Sequence, residues 1–193
     1  IGEDMHCENL VFPGITADGG FAEYMVTSQR SLVKLHDLKP ENAAPLADAG
    51  LTVIRAVKKA ASRTTSGSHV VVQGIGGLGH IGLQLLRCMT NTVVTAVDVA
   101  ESKLRLAEKL GAHHVVDARK DPVKQIMKIT DNKGADVVMD VVGNDQTLAN
   151  GVKMLRKGGT VIIVGYGGIA NLKAIDMIFS EYSVIGSLVG NWD

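Results

Sequence analysis

Residues 70–82 read VVVQGIGGLGHIG. Three valines and a glutamine form a short run suited to a buried strand. A glycine-rich turn follows, and then a pattern that fits a helix. Gly74, Gly76 and Gly79 stand at the spacing G-x-G-x-x-G. Each has a physical task in a strand–turn–helix unit that receives a pyrophosphate. Gly74 permits the tight turn, Gly76 lets backbone approach the phosphates, and Gly79 lets the helix pack closely on the sheet. Gly77 and Leu78 complete the turn at the helix start, where free N–H groups and a partial positive charge favour an anion. With 22 glycines in the chain the match alone is weak. Its place between a buried-type strand and a helix gives it weight, against the plainer reading of glycine used only for turn geometry.

The same beat continues outward. Apolar, β-branched runs occur at residues 69–74, 92–98, 113–118, 135–143, 159–166 and 182–190. Helical patterns lie between the first five, at residues 78–89, 101–110, 122–130 and 146–155. The runs are nearly all apolar, so both faces of the sheet should be covered. Strand–helix alternation implies right-handed crossovers and an α/β fold with a doubly wound parallel sheet of six strands.

The second strand run ends at Asp98, 19 residues beyond Gly79. An acid there accepts hydrogen bonds from the adenosine ribose and repels a 2′-phosphate. Val99 and Ala100 follow, with no arginine to hold that phosphate, so NAD is expected over NADP. The plainer reading of Asp98 is a turn former at a strand end. Lys103 is a second candidate for the ribose, against the reading of a solvated helix lysine. Ligands of open α/β sheets lie outside the carboxyl ends of the strands. Val142, Gly143, Gly165, Tyr166, Ser187 and Val189 should therefore rim the cleft, unless they are plain turn residues.

Residues 18–35, DGGFAEYMVTSQRSLVKL, alternate in polarity and suggest short antiparallel strands. KPENAAPLADAG then reads as a helix start followed by a break, with a helical run from residue 51 to 61. Asp48 sits alone among small apolar residues just before that run. Its spacing fits a helix cap or a metal ligand.

Composition narrows the partners. Lys plus Arg and Asp plus Glu are both 20. That balance offers no global field for nucleic acid or an acidic membrane surface. No apolar run is long enough to span a bilayer as a helix, and the acidic opening IGEDMHCENL shows no signal peptide. Cys7 and Cys88 stand at no metal-like spacing, and a reducing cytoplasmic setting is the default. Cys88 reads as buried packing on the helix after the glycine turn. None of the six histidines has ligand spacing.

Together, GGFAEYMVT, APLADAGLT, VVVQGIGGLG, VTAVD and GSLVGN make the sequence resemble the zinc-dependent alcohol dehydrogenases of the medium-chain dehydrogenase/reductase superfamily. The resemblance runs over essentially the whole chain. It implies that residues 1–49 are the C-terminal part of a GroES-like catalytic domain. Residues 50–193 would then be an NAD-binding Rossmann domain. APLADAGLT resembles the segment that supplies a catalytic zinc ligand. Many members have Cys where this chain has Asp48; some have Asp, and zinc accepts carboxylate oxygen as it does thiolate or imidazole. The resemblance therefore favours Asp48 as ligand over cap.

By the same resemblance, Thr52 packs by the nicotinamide, and Ser187 and Val189 bond its carboxamide through their backbone. GEDMHC resembles the end of a structural zinc lobe. Cys7 would be its fourth ligand, with the other three before Ile1. The remaining catalytic ligands and a proton relay would also lie upstream, and the family's C-terminal segment would lie after GNWD.

The function implied is NAD-dependent, zinc-assisted hydride transfer between an alcohol and its aldehyde or ketone, with this chain supplying mainly the dinucleotide part. A zinc-free quinone or enoyl reductase and a non-catalytic NAD-binding module are the alternatives. The segment NLKAI, residues 171–175, opens at Asn171 and closes at Ile175. Its polar–apolar alternation fits an extended, exposed edge, and the resemblance implies that this edge pairs across a two-fold axis into a homodimer, with a tetramer open to the intact protein.

Overall fold

The computed structural model describes residues 3–191; Trp192 and Asp193 lie outside the described residues. Residues 3–48 carry short 3-10 turns and helix α1 (Pro40–Ala43). From there the order is α2 (Ala49–Ala61), β1 (His69–Gln73), α3 (Gly77–Met89), β2 (Val93–Asp98), α4 (Glu101–Lys109) and β3 (His114–Asp117). Then come α5 (Pro122–Ile129), β4 (Ala135–Asp140), α6 (Asp145–Met154), β5 (Leu155–Ile163), α7 (Ala174–Ser180) and β6 (Ser183–Gly186). All six strands join one parallel sheet in the order β3-β2-β1-β4-β5-β6. The chain thus starts at the centre, winds outward to one edge, returns beside β1 and winds to the other. This is a Rossmann-type fold, with its switch point between β1 and β4.

The alternation of side chains along each strand divides the core in two. Val70, Val72, Val94, Val137, Met139 and Ile162 face α2, α3 and α4, where Val57, Leu83, Leu86 and Ala107 meet them. Val71, Val97, Val138 and Val161 face the other way, against Ile126 of α5 and Met154 of α6. Helix α3 approaches the sheet through Gly79 and Gly82. A Cβ at Gly82 would come 2.8 Å from the Met139 methyl.

Four expectations need correction. The antiparallel strands expected over residues 18–35 do not form; no strand or bridge occurs in that segment, and the isolated bridge just before it joins Pro13 to Ala17 in parallel sense. The alternation is genuine, but a strand needs a partner and a face to bury. Phe21, Tyr24 and Val26 stand fully or nearly fully exposed. The segment of residues 171–175 is not extended throughout, because α7 begins at Ala174 and includes Ile175. The Lys173 carbonyl accepts from Asp176 and Met177 N–H. Asp176 places a carboxylate in the first turn, where the helix dipole favours it. Cys88 is exposed rather than packed. The buried stripe of α3 runs Gly79, Gly82, Leu83, Leu86, and position 88 falls off its 3.6-residue period. Finally, β5 starts at Leu155, four residues early, because Leu155 pairs with Ala135 ahead of an irregularity in the β4–β5 ladder.

Candidate functional site

The carboxyl ends of β1, β2 and β4 open onto a cleft of about 240 Å³. Its lining includes Gly74, Asp98, Val99, Ala118, Val142 and Asn144. This is the crevice at the switch point, where open α/β sheets receive ligands.

Gly74 leaves β1 with φ +90°, a conformation that disfavours any side chain, and a Cβ there would come 2.5 Å from Val142 Cγ2. A Cβ on Gly79 would overlap the Gly74 carbonyl oxygen. These two glycines serve the fold. Gly76 and Gly77 differ: both are exposed, and a Cβ on either meets nothing within 4 Å. Gly76 is the N-cap of α3 and no side chain caps that end. The glycine turn therefore presents uncapped backbone to an open space. Leu78 is half-buried behind it, and the ring Nδ1 of His80 lies 2.7 Å from the Gly76 carbonyl.

Asp98 does more than end a strand. Its Oδ2 accepts from Ile75 N–H at 2.7 Å and its Oδ1 from Ala100 N–H at 2.9 Å. The carboxylate thus ties the middle of the glycine turn to the end of β2. Lys103, in the first turn of α4, is exposed. One strand further out, Asp117 is in register with Asp98. Arg119 forks onto it, Nε to Oδ1 at 2.9 Å and Nη2 to Oδ2 at 2.8 Å. These guanidinium bonds hold the Asp117 carboxyl at about 2, below the usual carboxylate range.

On the other side of the switch point the turns after β4 and β5 lock together. Asp140 is fully buried. Its Oδ1 accepts from Val142 and Gly143 N–H, each at 3.0 Å. Its carbonyl accepts from Val164 and Gly165 N–H. Its Oδ2 has no partner among the described residues. A Cβ on Gly143 would overlap Gly165, and the reverse. Val142 is part-exposed over the cleft, and Tyr166 is almost fully exposed beyond it. Asp140 was passed over in the sequence, although an acid inside the apolar run ADVVMDVVG was a visible signal.

The end of β6 and the loop after it lie along α2, Gly186 near Lys59 and Gly190 near Leu51. Ser187 is buried and its hydroxyl has no partner among the described residues; its N–H donates to the Ile163 carbonyl. Val189 is held at φ +37°, strained for a β-branched residue. A Cβ on Gly190 would overlap the Leu51 carbonyl, so this loop lies directly on α2. Lys59 of α2 donates to the Gly186 carbonyl at 2.7 Å. Burial, then the Arg55 charge, lowers its pKa. Asp48 occupies the N-cap position of α2 but makes no capping bond. It is exposed, and accepts from the Thr52 hydroxyl at 3.2 Å. A cap leaves its oxygens on backbone N–H groups; here they are turned elsewhere. Cys7 is exposed. No group of three His, Cys, Asp or Glu placed to hold a metal occurs among the described residues.

Sheet order, glycine turn and cleft together define a protein of the dehydrogenase type of Rossmann fold. The family model for zinc-binding dehydrogenases matches residues 77–193. The chain belongs to that family, as its motifs implied. It is 40% identical over 195 residues to an NAD-dependent alcohol dehydrogenase of Sulfurisphaera tokodaii, an alignment covering 99% of this chain and 56% of that protein. It is 39% identical over 191 residues to a D-arabinose 1-dehydrogenase (NADP(+)) of Saccharolobus solfataricus, covering 96% of this chain and 54% of that one. The crystal structure of the alcohol dehydrogenase from Aeropyrum pernix superposes with a TM-score of 0.96 at 56% identity. That match covers 99% of this chain and 57% of that chain. The chain thus spans a little over half the length of these relatives. No helix among the described residues is long and apolar enough to cross a membrane.

Proposed function

We propose that this chain is the dinucleotide-binding part of an NAD-dependent alcohol dehydrogenase. The open backbone at Gly76 and Gly77, next to the tethered carboxylate of Asp98, carries this reading. The pyrophosphate lies on the uncapped start of α3, against Gly76, Gly77 and Leu78. Asp98 meets the adenosine ribose, with Lys103 at the rim. Val142, Gly143, Gly165 and Tyr166 bound the path toward the nicotinamide. Ser187 and Val189 hold its carboxamide and Thr52 packs beside it. The unpartnered Ser187 hydroxyl is a fitting neighbour for a polar ligand group. When bound, the nicotinamide supplies the hydride chemistry; the protein positions it and excludes water.

Asp48 is one zinc ligand in this reading, and its carboxylate suits that metal. The described residues alone do not complete a zinc site, since a catalytic zinc takes three protein ligands. The chemistry of the longer protein, oxidation of an alcohol to its aldehyde or ketone, belongs to the same proposal. So do the division at residues 49 and 50, Cys7 as part of a structural zinc lobe, and a cytoplasmic setting suited to two exposed thiols. A homodimer joins two sheets at the free edge of β6, with residues 171–173 beside it; Ala174 and Ile175 contribute as helix.

Cofactor choice is the direct test, because similar relatives carry names with NAD and with NADP(+). Fluorescence titration should show NADH binding at least tenfold tighter than NADPH, the cost of a 2′-phosphate beside a carboxylate being on the order of 1.4 kcal/mol or more. Equal or tighter NADPH binding would remove the reading of Asp98.

A further inference from the structure

Val99 and Ala100 follow Asp98, so its own strand end supplies no arginine for a 2′-phosphate. The fold brings one from the neighbouring strand. Asp98 and Asp117 are paired in register at the ends of β2 and β3. In a parallel ladder, paired residues send their side chains to the same face, with strands about 4.8 Å apart. The Asp98 carbonyl accepts from Ala118 N–H, which draws the turn after β3 against the end of β2. Ala118 itself lines the cleft. Arg119 therefore follows the cleft wall by one residue. Its charge is felt by Glu101 at the start of α4 as well as by Asp117. The end of β2 and the start of α4 bracket the place where a ribose 2′-substituent would sit.

We infer that Asp117 and Arg119 are a second determinant of cofactor choice, in which Asp117 holds the Arg119 guanidinium in a two-pronged ion pair and so keeps it from a 2′-phosphate. This rests on the proposed placement of the adenosine ribose at Asp98. Two carboxylates then face the 2′-position, one on each strand end. The guanidinium is spent on the outer one, which Lys120 also approaches at 3.9 Å, while Lys103 stands exposed at the rim. Arginine matches phosphate as well as carboxylate, since its planar fork donates two parallel N–H bonds to either. The Arg119 side chain is 62% exposed and the Asp117 side chain 15%. Both guanidinium bonds end on Asp117, so removing that carboxylate releases the guanidinium toward solvent and the cleft. Asp117 remains ionised throughout the neutral range, its carboxyl lying at about 2.

The consequence is that Asp98→Ser alone makes a poor NADPH binder. It removes one repulsive charge and leaves the other, with the arginine still engaged. Four variants of the 193-residue chain test this by fluorescence titration with NADH and NADPH: Asp98→Ser, Asp117→Asn, the double variant, and the double variant with Arg119→Ala added. The double variant should bind NADPH about tenfold tighter than Asp98→Ser, the size of one charge-assisted hydrogen bond. Adding Arg119→Ala should cancel that gain. Asp98 also tethers the glycine turn, so Asp117→Asn alone is the safeguard against a misfolded double variant. Its NADPH affinity should rise about threefold. The inference is overturned if Asp117→Asn changes NADPH affinity in neither background, or if the gain survives Arg119→Ala. Failure of the parent chain to bind NADH is a separate result, and would remove the proposed function together with this inference.

Discussion

Gly79→Ala should destabilise the chain by about 2 kcal/mol or more, although alanine is the better helix former. Replacing a helical glycine ordinarily gains up to about 1 kcal/mol in propensity. Here the new methyl would overlap the Gly74 carbonyl oxygen. Backbone cannot rotate away as a side-chain end can, and overpacking of this kind costs about 3 kcal/mol. Helix α3 would have to move off the sheet, drawing Leu83 and Leu86 out of the core they fill completely. Urea denaturation read by far-UV circular dichroism measures the loss. A variant as stable as the parent would mean that the turn is looser than its geometry implies.

The second large effect is expected at Asp140. Asp140→Ala removes the acceptor for two N–H groups, those of Val142 and Gly143, and the latter is buried. A buried donor left unpaired costs about 1–3 kcal/mol, so the expected loss is about 3 kcal/mol for the pair. Asp140→Asn keeps an acceptor in the Oδ1 position and should restore at least half of it. Because Val142 lies against Gly74, the alanine variant should also weaken dinucleotide binding. If Asp140→Ala melts within about 0.5 kcal/mol of the parent, the range of an ordinary surface substitution, the two N–H groups have found other partners.

Much of the fold was readable before any coordinates. The runs HVVVQ, VVTAVD and ADVVMD are apolar on both faces, and only a covered parallel strand accommodates that. The glycine turn was readable for a related reason: Gly74 and Gly79 answer steric demands made within a few residues of themselves. What failed to read correctly depended on distant partners. The alternation of residues 18–35 states a preference for strands, but pairing needs a neighbour that local sequence does not supply. The apolar residues of α7, Ile175, Ile178 and Phe179, fit a helix period, yet the preceding NLK alternates and pointed to an edge strand. Both patterns overlap at Ala174, and the backbone bonds at Lys173 decide between them.

The candidate site divides the same way. Gly76, Gly77 and Asp98 were legible as candidates because a motif spaces them along the chain. Asp140, and Arg119 in the role proposed for it, were not, because what they do arises across strands. Asp140 matters through the turns it ties together, and Arg119 through the register that sets Asp117 beside Asp98. Asp48 fits two roles by spacing, and the resemblance favours ligand over cap. Its lack of a capping bond agrees with the ligand reading without supplying the other ligands.

The central claim is that the open space over Gly76 belongs to a dinucleotide. Gly76→Ala isolates it, because the added methyl meets nothing within 4 Å of the protein and the position has φ −84°. Stability should stay within about 0.5 kcal/mol of the parent. Titration of NADH into the purified chain should show saturable binding to the parent and at least a tenfold loss in Gly76→Ala, about 1.4 kcal/mol or more. A Gly76→Ala variant that melts like the parent and binds NADH equally well would contradict the account, as would a folded parent that does not bind NADH.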